Sequence, residues 1–276
     1  MYNVVLFKYE NSYQLRSYQF GIHEKNKSEK TTFDDLEDEI DNEFSKVDDK
    51  YHLDGHSAYV SVNRSKNKIF YYSRSNDWSN GYFVTLTIDQ SRYDGYDFKV
   101  VSDLVRRFTK GLRAYSNNCY GLFVPELHPT SGRFHIHGLI SGIDLEKEGY
   151  IVDSHHVTPN GDKIFNFVKG WKYGFSNVTR VKSSMAVEKY IAKYTTKELL
   201  NSTLYQHRYF TFNLKESDIV KFNIYKEDDF IQKVINSGKV LFCNTDGLYN
   251  RVTYLELEKD DDILKLLYQY ENKEIE

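Results

Sequence analysis

One run of apolar and β-branched residues constrains the fold of this chain more than any other feature of its sequence. The run from Tyr82 to Ile88 reads YFVTLTI and contains no charged residue, glycine or proline. Uninterrupted runs of this kind are typical of strands in the middle of a sheet that is covered on both faces. We therefore expect this segment to be the core strand of the protein.

The segments that follow supply partners for this strand. Three of them are predicted as strands because they are short, apolar and bounded by polar turns: Tyr120 to Leu127, Phe134 to Ile140 and Phe175 to Val181. The segment from Val100 to Tyr115 repeats apolar residues at helical spacing, and another helix is predicted from about Met185 to Leu200. The pattern predicts an α+β fold, with a central antiparallel sheet flanked by helices.

The N-terminal part of the chain is predicted to be rich in strands. Val4 to Tyr9 and Tyr13 to Phe20 should form a hairpin, and Thr32 to Phe44 has the cap and the apolar period of a surface helix. Ala58 to Val62 and Lys68 to Ser73 alternate around a polar turn and are predicted as two more strands.

The segment from Ser75 to Asn80 has the composition of a connector and gives the first domain boundary. We expect an N-terminal hairpin and helix appendage over residues 1–75. A central domain should follow over residues 76–214, and an acidic C-terminal segment over residues 215–276.

Charge is segregated along the chain, although the formal net charge is only -3. The stretch from Lys163 to Lys215 holds ten Lys and Arg against two Glu, whereas Glu24 to Asp54 holds twelve acids against five Lys. A polyanion should therefore be attracted to the middle of the chain and repelled by its ends. Uneven solvated faces are the alternative interpretation.

Several classes of protein are disfavoured by absent motifs. Cys119 and Cys243 are the only thiols and form no CxxC pair, so the sequence favours neither a disulfide scaffold nor a zinc ribbon. We expect a cytoplasmic protein with no membrane partner, because no leader-like start and no apolar run of membrane-spanning length is present. No GxxxxGK[ST] loop is present either, so we expect no nucleotide cofactor.

His135 and His137 are separated by one residue inside an apolar run. In a strand their imidazoles project from the same face while Ile136 points into the core. A symmetric turn centred between Thr130 and Ser131 places Glu126 opposite His135. One carboxylate and two imidazoles could then bind a single cation, and this mixed donor set suits Mn²⁺ or Mg²⁺, with zinc and a hydrogen-bonded core histidine as alternatives.

Tyr190, Lys193 and Tyr194 share one face of the predicted second helix. A nearby ammonium and a metal favour the ionised, nucleophilic form of a phenol whose ordinary pKa is about 10. The tyrosine spacing alone is not specific, because Tyr9 and Tyr13 repeat it, as do Tyr205 and Tyr209 without an inserted lysine.

Two further groups have less specific patterns. The pairs His155 with His156 and His52 with His56 lie in polar, turn-like surroundings and are interpreted as surface residues. The segment from Trp171 to Phe175 interleaves aromatic residues with Lys172, as single-strand-binding surfaces do, but a packed strand end would show the same pattern.

The order of these motifs, FVTLT, then HIH, then YIAKY, resembles the HUH endonuclease superfamily, which is named for its His-hydrophobe-His motif. The resemblance covers residues 58 to 214 and is greatest to the replication initiator (Rep) proteins of rolling-circle plasmids and single-stranded DNA phages. It implies a ferredoxin-like or RRM-like catalytic domain, with the histidine strand in the middle of the sheet and the tyrosine helix laid across the site.

The resemblance also implies a role for each motif residue. Glu126, His135 and His137 would hold the metal, Tyr190 would be the main nucleophile, Lys193 would position the phosphate or metal, and Tyr194 would be a second tyrosine whose role stays open. Basic residues in and around the positive stretch are expected to contact DNA: Arg133, Lys172, Arg180, Lys182, Lys189 and Lys197.

The function implied is an endonuclease that nicks and rejoins single-stranded DNA at a replication origin through a 5'-phosphotyrosine. A host helicase and a host polymerase are the expected partners. A transposase or relaxase of the same superfamily and a non-catalytic binder of single-stranded or origin DNA are the alternatives. A relaxase is disfavoured because its tyrosines precede the histidine motif.

Overall fold

The computed structural model describes residues 1–24, 31–48, 56–183, 187, 208–246 and 251–271. In chain order, the strands of this part are β1 (Tyr2–Lys8), β2 (Ser12–Ile22), β3 (Tyr82–Leu86), β4 (Tyr120–Leu127), β5 (Phe134–Ser141), β6 (Ile151–Val157), β7 (Lys163–Phe167), β8 (Ser176–Arg180), β9 (Phe210–Phe212), β10 (Asp218–Phe222), β11 (Val240–Asp246) and β12 (Val252–Glu258). The helices are α1 (Phe33–Asp48), α2 (His56–Ser75), α3 (Phe98–Tyr115), α4 (Glu227–Asn236) and α5 (Asp261–Tyr270). Over the described residues, no helix has the length and apolarity that crossing a membrane requires.

The larger of two compact units, Ser61–Glu216, is built on a seven-stranded antiparallel sheet. Its strand order is β6-β7-β8-β3-β5-β4-β9, so β3 is the central strand, as its unbroken apolar sequence predicts. The predicted strands β4, β5 and β8 are confirmed to within one residue at each end. The α+β class with antiparallel sheets is likewise confirmed.

The two faces of this sheet are covered differently. Helix α3, predicted from its apolar period, packs one face through Val101, Val105 and Phe108 in a core that also contains Val84 and Ile136. A smaller apolar cluster covers part of the other face and includes Ile69, Leu122, Leu139 and Val187. Because side chains alternate along a strand, residues neighbouring Ile136 belong to this second face.

Helix α2 corrects the sequence prediction of two strands over Ala58 to Val62 and Lys68 to Ser73. Ile69, Tyr71 and Ser73 are all buried, so burial does alternate along this segment although its backbone is helical. Residues two apart in a helix point about 200° apart, and burial at both therefore means that neighbours cover more than one side of the helix. The sequence pattern was a true record of burial and was assigned to the wrong element.

The smaller unit joins the two ends of the chain, Met1–Val60 and Ser217–Glu276. Its five-stranded sheet has the order β10-β1-β2-β12-β11, and it confirms the predicted hairpin of β1 and β2. Helix α1 is confirmed too, and its backbone begins with a bond from the Asp35 amide to the Thr32 hydroxyl. The separate N-terminal and C-terminal segments expected from the sequence differ from this arrangement, because β1 pairs with β10 and β2 with β12.

We predict that Phe108→Ala lowers the free energy of unfolding of the larger unit by about 3–5 kcal/mol, the usual effect of truncating a buried aromatic residue. Phe108 is 2 % exposed, and its ring contacts those of Phe123, Phe167 and Trp171 at centroid distances of 5.8, 5.4 and 5.5 Å. Urea unfolding followed by tryptophan fluorescence measures the change. Lys110→Ala, an exposed change on the same helix, is the control, and a loss for Phe108→Ala no larger than for this control would contradict the prediction.

Candidate functional site

His135 and His137 lie on β5 and face away from α3. Ile136, between them, is fully buried in the core that α3 covers, whereas Leu139 belongs to the apolar cluster of the opposite face. Since side chains alternate along a strand, both histidines share the face of Leu139. The shared orientation predicted from the His-Ile-His pattern is confirmed.

The β4–β5 hairpin brings Glu126 to the histidines. Glu126 is paired with His135 across the ladder, which is the register predicted from the turn, and His128 to Arg133 form the connection. The Glu126 carboxylate also reaches diagonally to His137, with 2.8 Å between Oε2 and Nε2. Both side chains are largely buried, at 21 % and 10 % exposed, so their interaction is only partly screened by water.

Thr85 of β3 contacts the other nitrogen of the His137 ring. It is paired with His137 across the ladder, and its hydroxyl lies 3.2 Å from Nδ1. If Nδ1–H donates to Thr85, a neutral His137 presents the lone pair of Nε2 to the Glu126 carboxylate. Two electron-rich atoms 2.8 Å apart need a cation between them, which a proton or a metal ion can supply.

The His135 ring contacts His128 at the start of the hairpin connection, with 4.8 Å between centroids. His128 Nδ1 accepts from the backbone amides of Thr130 and Ser131, both at 3.3 Å, which fixes its ring orientation. Burial lowers the pKa of His135 below its ordinary value, and the neighbouring His128 and His137 lower it further. His135 is therefore neutral at pH 7, which is the form that can bind a metal.

The donor chemistry of this cluster fits a divalent cation, although a ready three-ligand site is not formed. Within the described ranges, no three His, Cys, Asp or Glu side chains are close enough together to hold a metal ion. Glu126 and His137 are in direct contact, whereas the His135 ring packs on His128. Of the predicted metal ligands the structure thus joins two and places the third beside them.

The predicted DNA-contacting residues fall into three groups. Arg133 and Lys172 line a cavity of about 700 Å³ together with His128 and His135. Arg180 instead pairs with Asp144 and Glu146, and Lys182 pairs with Asp162, so the structure does not bring these two to the histidines. Five predicted residues lie outside the described residues: Tyr190, Lys193, Tyr194, Lys189 and Lys197.

Sequence reasoning missed Thr85 and His128. Thr85 carried a usable signal, because it occupies an alternate position of the central strand and faces the same side as the histidines. His128 had none, since a histidine in a turn is ordinary. The surface interpretation of His155 and His156 is confirmed, as both are exposed. His52 lies outside the described residues, as does the side chain of His56.

The fold and this cluster define an α+β protein with histidines and a carboxylate on the inner strands of an antiparallel sheet. Residues 81–199, which begin just before β3, match the model of a family described as a "Replication-associated protein" family. This part of the chain therefore belongs to a replication-associated protein family of the Rep type, which supports a role in initiating replication and implies that the protein binds DNA. No curated protein and no solved structure matches the chain.

We predict that His135 titrates below 6.5 and that His128→Gln raises its pKa, because that change removes a neighbouring imidazolium. A lowered pKa in the folded state means that stability is fully present above pH 6.5 and is lost as the pH falls through the folded-state value. NMR titration of the histidine ring signals measures both pKa values, with His135→Gln to assign the signal. A wild-type pKa above 6.5, or no change in His128→Gln, would show that the cause named here is wrong.

Proposed function

We propose that this protein is a replication initiator endonuclease that nicks and rejoins single-stranded DNA at an origin through a 5'-phosphotyrosine, with a divalent metal, to start rolling-circle replication. The observation that carries the proposal is the His137 ring held between Thr85 and Glu126, beside His135, in the region that matches a replication-associated family. Family membership supports the initiator role, and the cluster supports the chemistry.

The metal would be held by Glu126, His135 and His137. This donor set of one carboxylate and two imidazoles suits Mn²⁺ or Mg²⁺, with coordination positions left for the substrate. When bound, a divalent cation polarises a non-bridging oxygen of the scissile phosphate and stabilises the charge that develops there. The low pKa of His135 and the contact of Thr85 with His137 Nδ1 keep the ring nitrogens available to it.

In the proposed reaction the Tyr190 oxygen attacks the phosphorus in line with the leaving 3'-oxygen. The O–P bond to tyrosine forms as the bond to the 3'-oxygen breaks, the phenol loses its proton, and the 3'-oxygen gains one. Lys193 would favour the ionised phenol and contact the phosphate. One phosphodiester replaces another, so a 3'-hydroxyl can reverse the step without ATP, and Tyr194 could cleave the next junction.

Strand separation and DNA synthesis would be contributed by a host helicase and a host polymerase in this proposal. A non-catalytic binder of single-stranded DNA is the second candidate, and one observation favours it. Glu126 and His137 contact each other directly, which is also what a structural hydrogen bond would look like. Covalent capture of DNA separates the two candidates, because only the enzyme forms a bond to the strand.

We predict that the wild-type protein with Mn²⁺ forms an SDS-resistant adduct with an origin-derived oligonucleotide, and that Tyr190→Phe reduces it on the order of a hundredfold or more, since the nucleophile is lost. Gel electrophoresis of labelled DNA measures the adduct. Tyr205→Phe, from a tyrosine pair with the same spacing but no lysine between its members, is the matched control and should retain it. An adduct of normal yield in Tyr190→Phe would refute the assignment, and no adduct with Mn²⁺ in the wild type would favour the non-catalytic candidate.

We predict that Thr85→Val weakens Mn²⁺ binding by about tenfold, because groups that orient a ligand histidine typically contribute 10- to 100-fold to metal affinity. The change is nearly isosteric and removes the contact with His137 Nδ1. Mn²⁺ titration followed by electron paramagnetic resonance measures the affinity. Thr179→Val on β8 is the matched control, since Thr179 is paired with Phe83 rather than with a histidine strand. Equal affinities in the two variants would remove Thr85 from the site.

A further inference from the structure

The cavity beside His135 and His128 is lined mainly by positive charge. Arg92, Arg133 and Lys172 contribute cations, and Asp89 is the one acid among the described residues that line it. The Asp89 carboxylate accepts hydrogen bonds from the amide and hydroxyl of Ser91, so it is occupied in its own turn. An anionic ligand would therefore be attracted to this cavity.

Phe175 presents an aromatic ring at the same cavity. Its side chain is 86 % exposed, whereas Trp171 and Tyr173 from the same aromatic segment are buried in the core at 3 % and 7 %. The packed strand end considered from the sequence therefore describes Trp171 and Tyr173 but not Phe175. An exposed apolar ring inside a cationic cavity is a combination that favours a ligand with both a flat face and negative charge.

The backbone that carries Phe175 is fixed against the end of β3. The Phe175 amide donates to Thr87 Oγ1 at 3.0 Å, and the Thr87 amide donates to the Phe175 carbonyl at 2.9 Å. The Asp89 amide donates to the Tyr173 carbonyl in the same way, at 2.8 Å. A Cβ atom at Gly174 would collide with the Thr87 carbonyl oxygen, so the close approach of the two segments requires glycine there.

We propose that Phe175 stacks on an unpaired base of single-stranded DNA while Lys172 and Arg133 contact the neighbouring phosphates. The inference rests on the proposed function for the identity of its ligand and adds the subsite that holds the strand next to the histidine cluster. A duplex does not fit this subsite, because its base faces are covered by their neighbours. A ring on a fixed backbone is suited to stacking, since little freedom is lost when the base binds.

The test measures binding of a labelled single-stranded origin oligonucleotide by fluorescence anisotropy, with chelator present so that no cleavage occurs. Phe175→Ala and Phe175→Leu should each weaken binding about tenfold, because neither offers a flat face, and Phe175→Trp should restore it. The control is Phe242→Ala, which removes a ring that is 61 % exposed on β11 of the smaller unit, and it should leave binding unchanged. Unfolding midpoints should not change in any of these variants, since the rings are exposed.

Oligonucleotides with a single abasic position locate the stacked base. One abasic position should weaken wild-type binding by the same factor as Phe175→Ala and should have no further effect in that variant. Additive losses at every position would overturn the proposal, as would unchanged binding in both Phe175→Ala and Phe175→Leu. RNA of the same sequence serves as a second ligand, and tighter binding of RNA than of DNA would overturn the DNA assignment.

Lys172→Gln tests the phosphate contact. It should make the slope of log affinity against log salt shallower by about 0.7, the value for one phosphate of a single strand. Lys147→Gln, which changes an exposed lysine outside the cavity lining, should leave the slope unchanged. The abasic experiment and the adduct assay fail independently. Loss of the adduct with normal stacking would overturn the nuclease proposal alone, and a normal adduct without stacking would overturn this subsite alone.

Discussion

The register between β4 and β5 places Glu126 across from His135 and within 2.8 Å of His137. Because side chains alternate along a strand, a slip of one residue would turn both imidazoles toward the face that α3 covers and bring Ile136 into the site. That slip would bury two polar rings and expose a side chain that is now fully buried. The apolar core on one face of the sheet thus fixes the polar cluster on the other.

Rigidity and electrostatics in the larger unit follow from the same sheet. β3 supplies Thr85 to the His137 ring, and the chain just beyond it holds Phe175 through paired backbone hydrogen bonds. The protein as a whole has a formal charge of -3, yet the cavity beside the cluster is lined by three cations and one acid. Local charge, rather than net charge, decides where a polyanion binds.

Much of the site's framework could be predicted from the sequence because its signals are local. The unbroken run of β3, the apolar period of α3 and the turn between β4 and β5 each act within a few residues. Helix α2 was missed because alternating burial in that segment arises from neighbours on more than one side of a helix. The strands β6 and β7 were missed because their mixed polar sequences give no clear period.

By itself the sequence determined the order of the motifs, the shared face of His135 and His137, and the pairing of Glu126 with His135, since alternation and turn length are properties of the local chain. Only the tertiary structure decided that the two ends of the chain share a sheet, that Thr85 contacts His137, and that Phe175 stays exposed while Trp171 and Tyr173 are buried. These features depend on contacts between residues far apart in the chain, and no local pattern records which distant segment will pack against another.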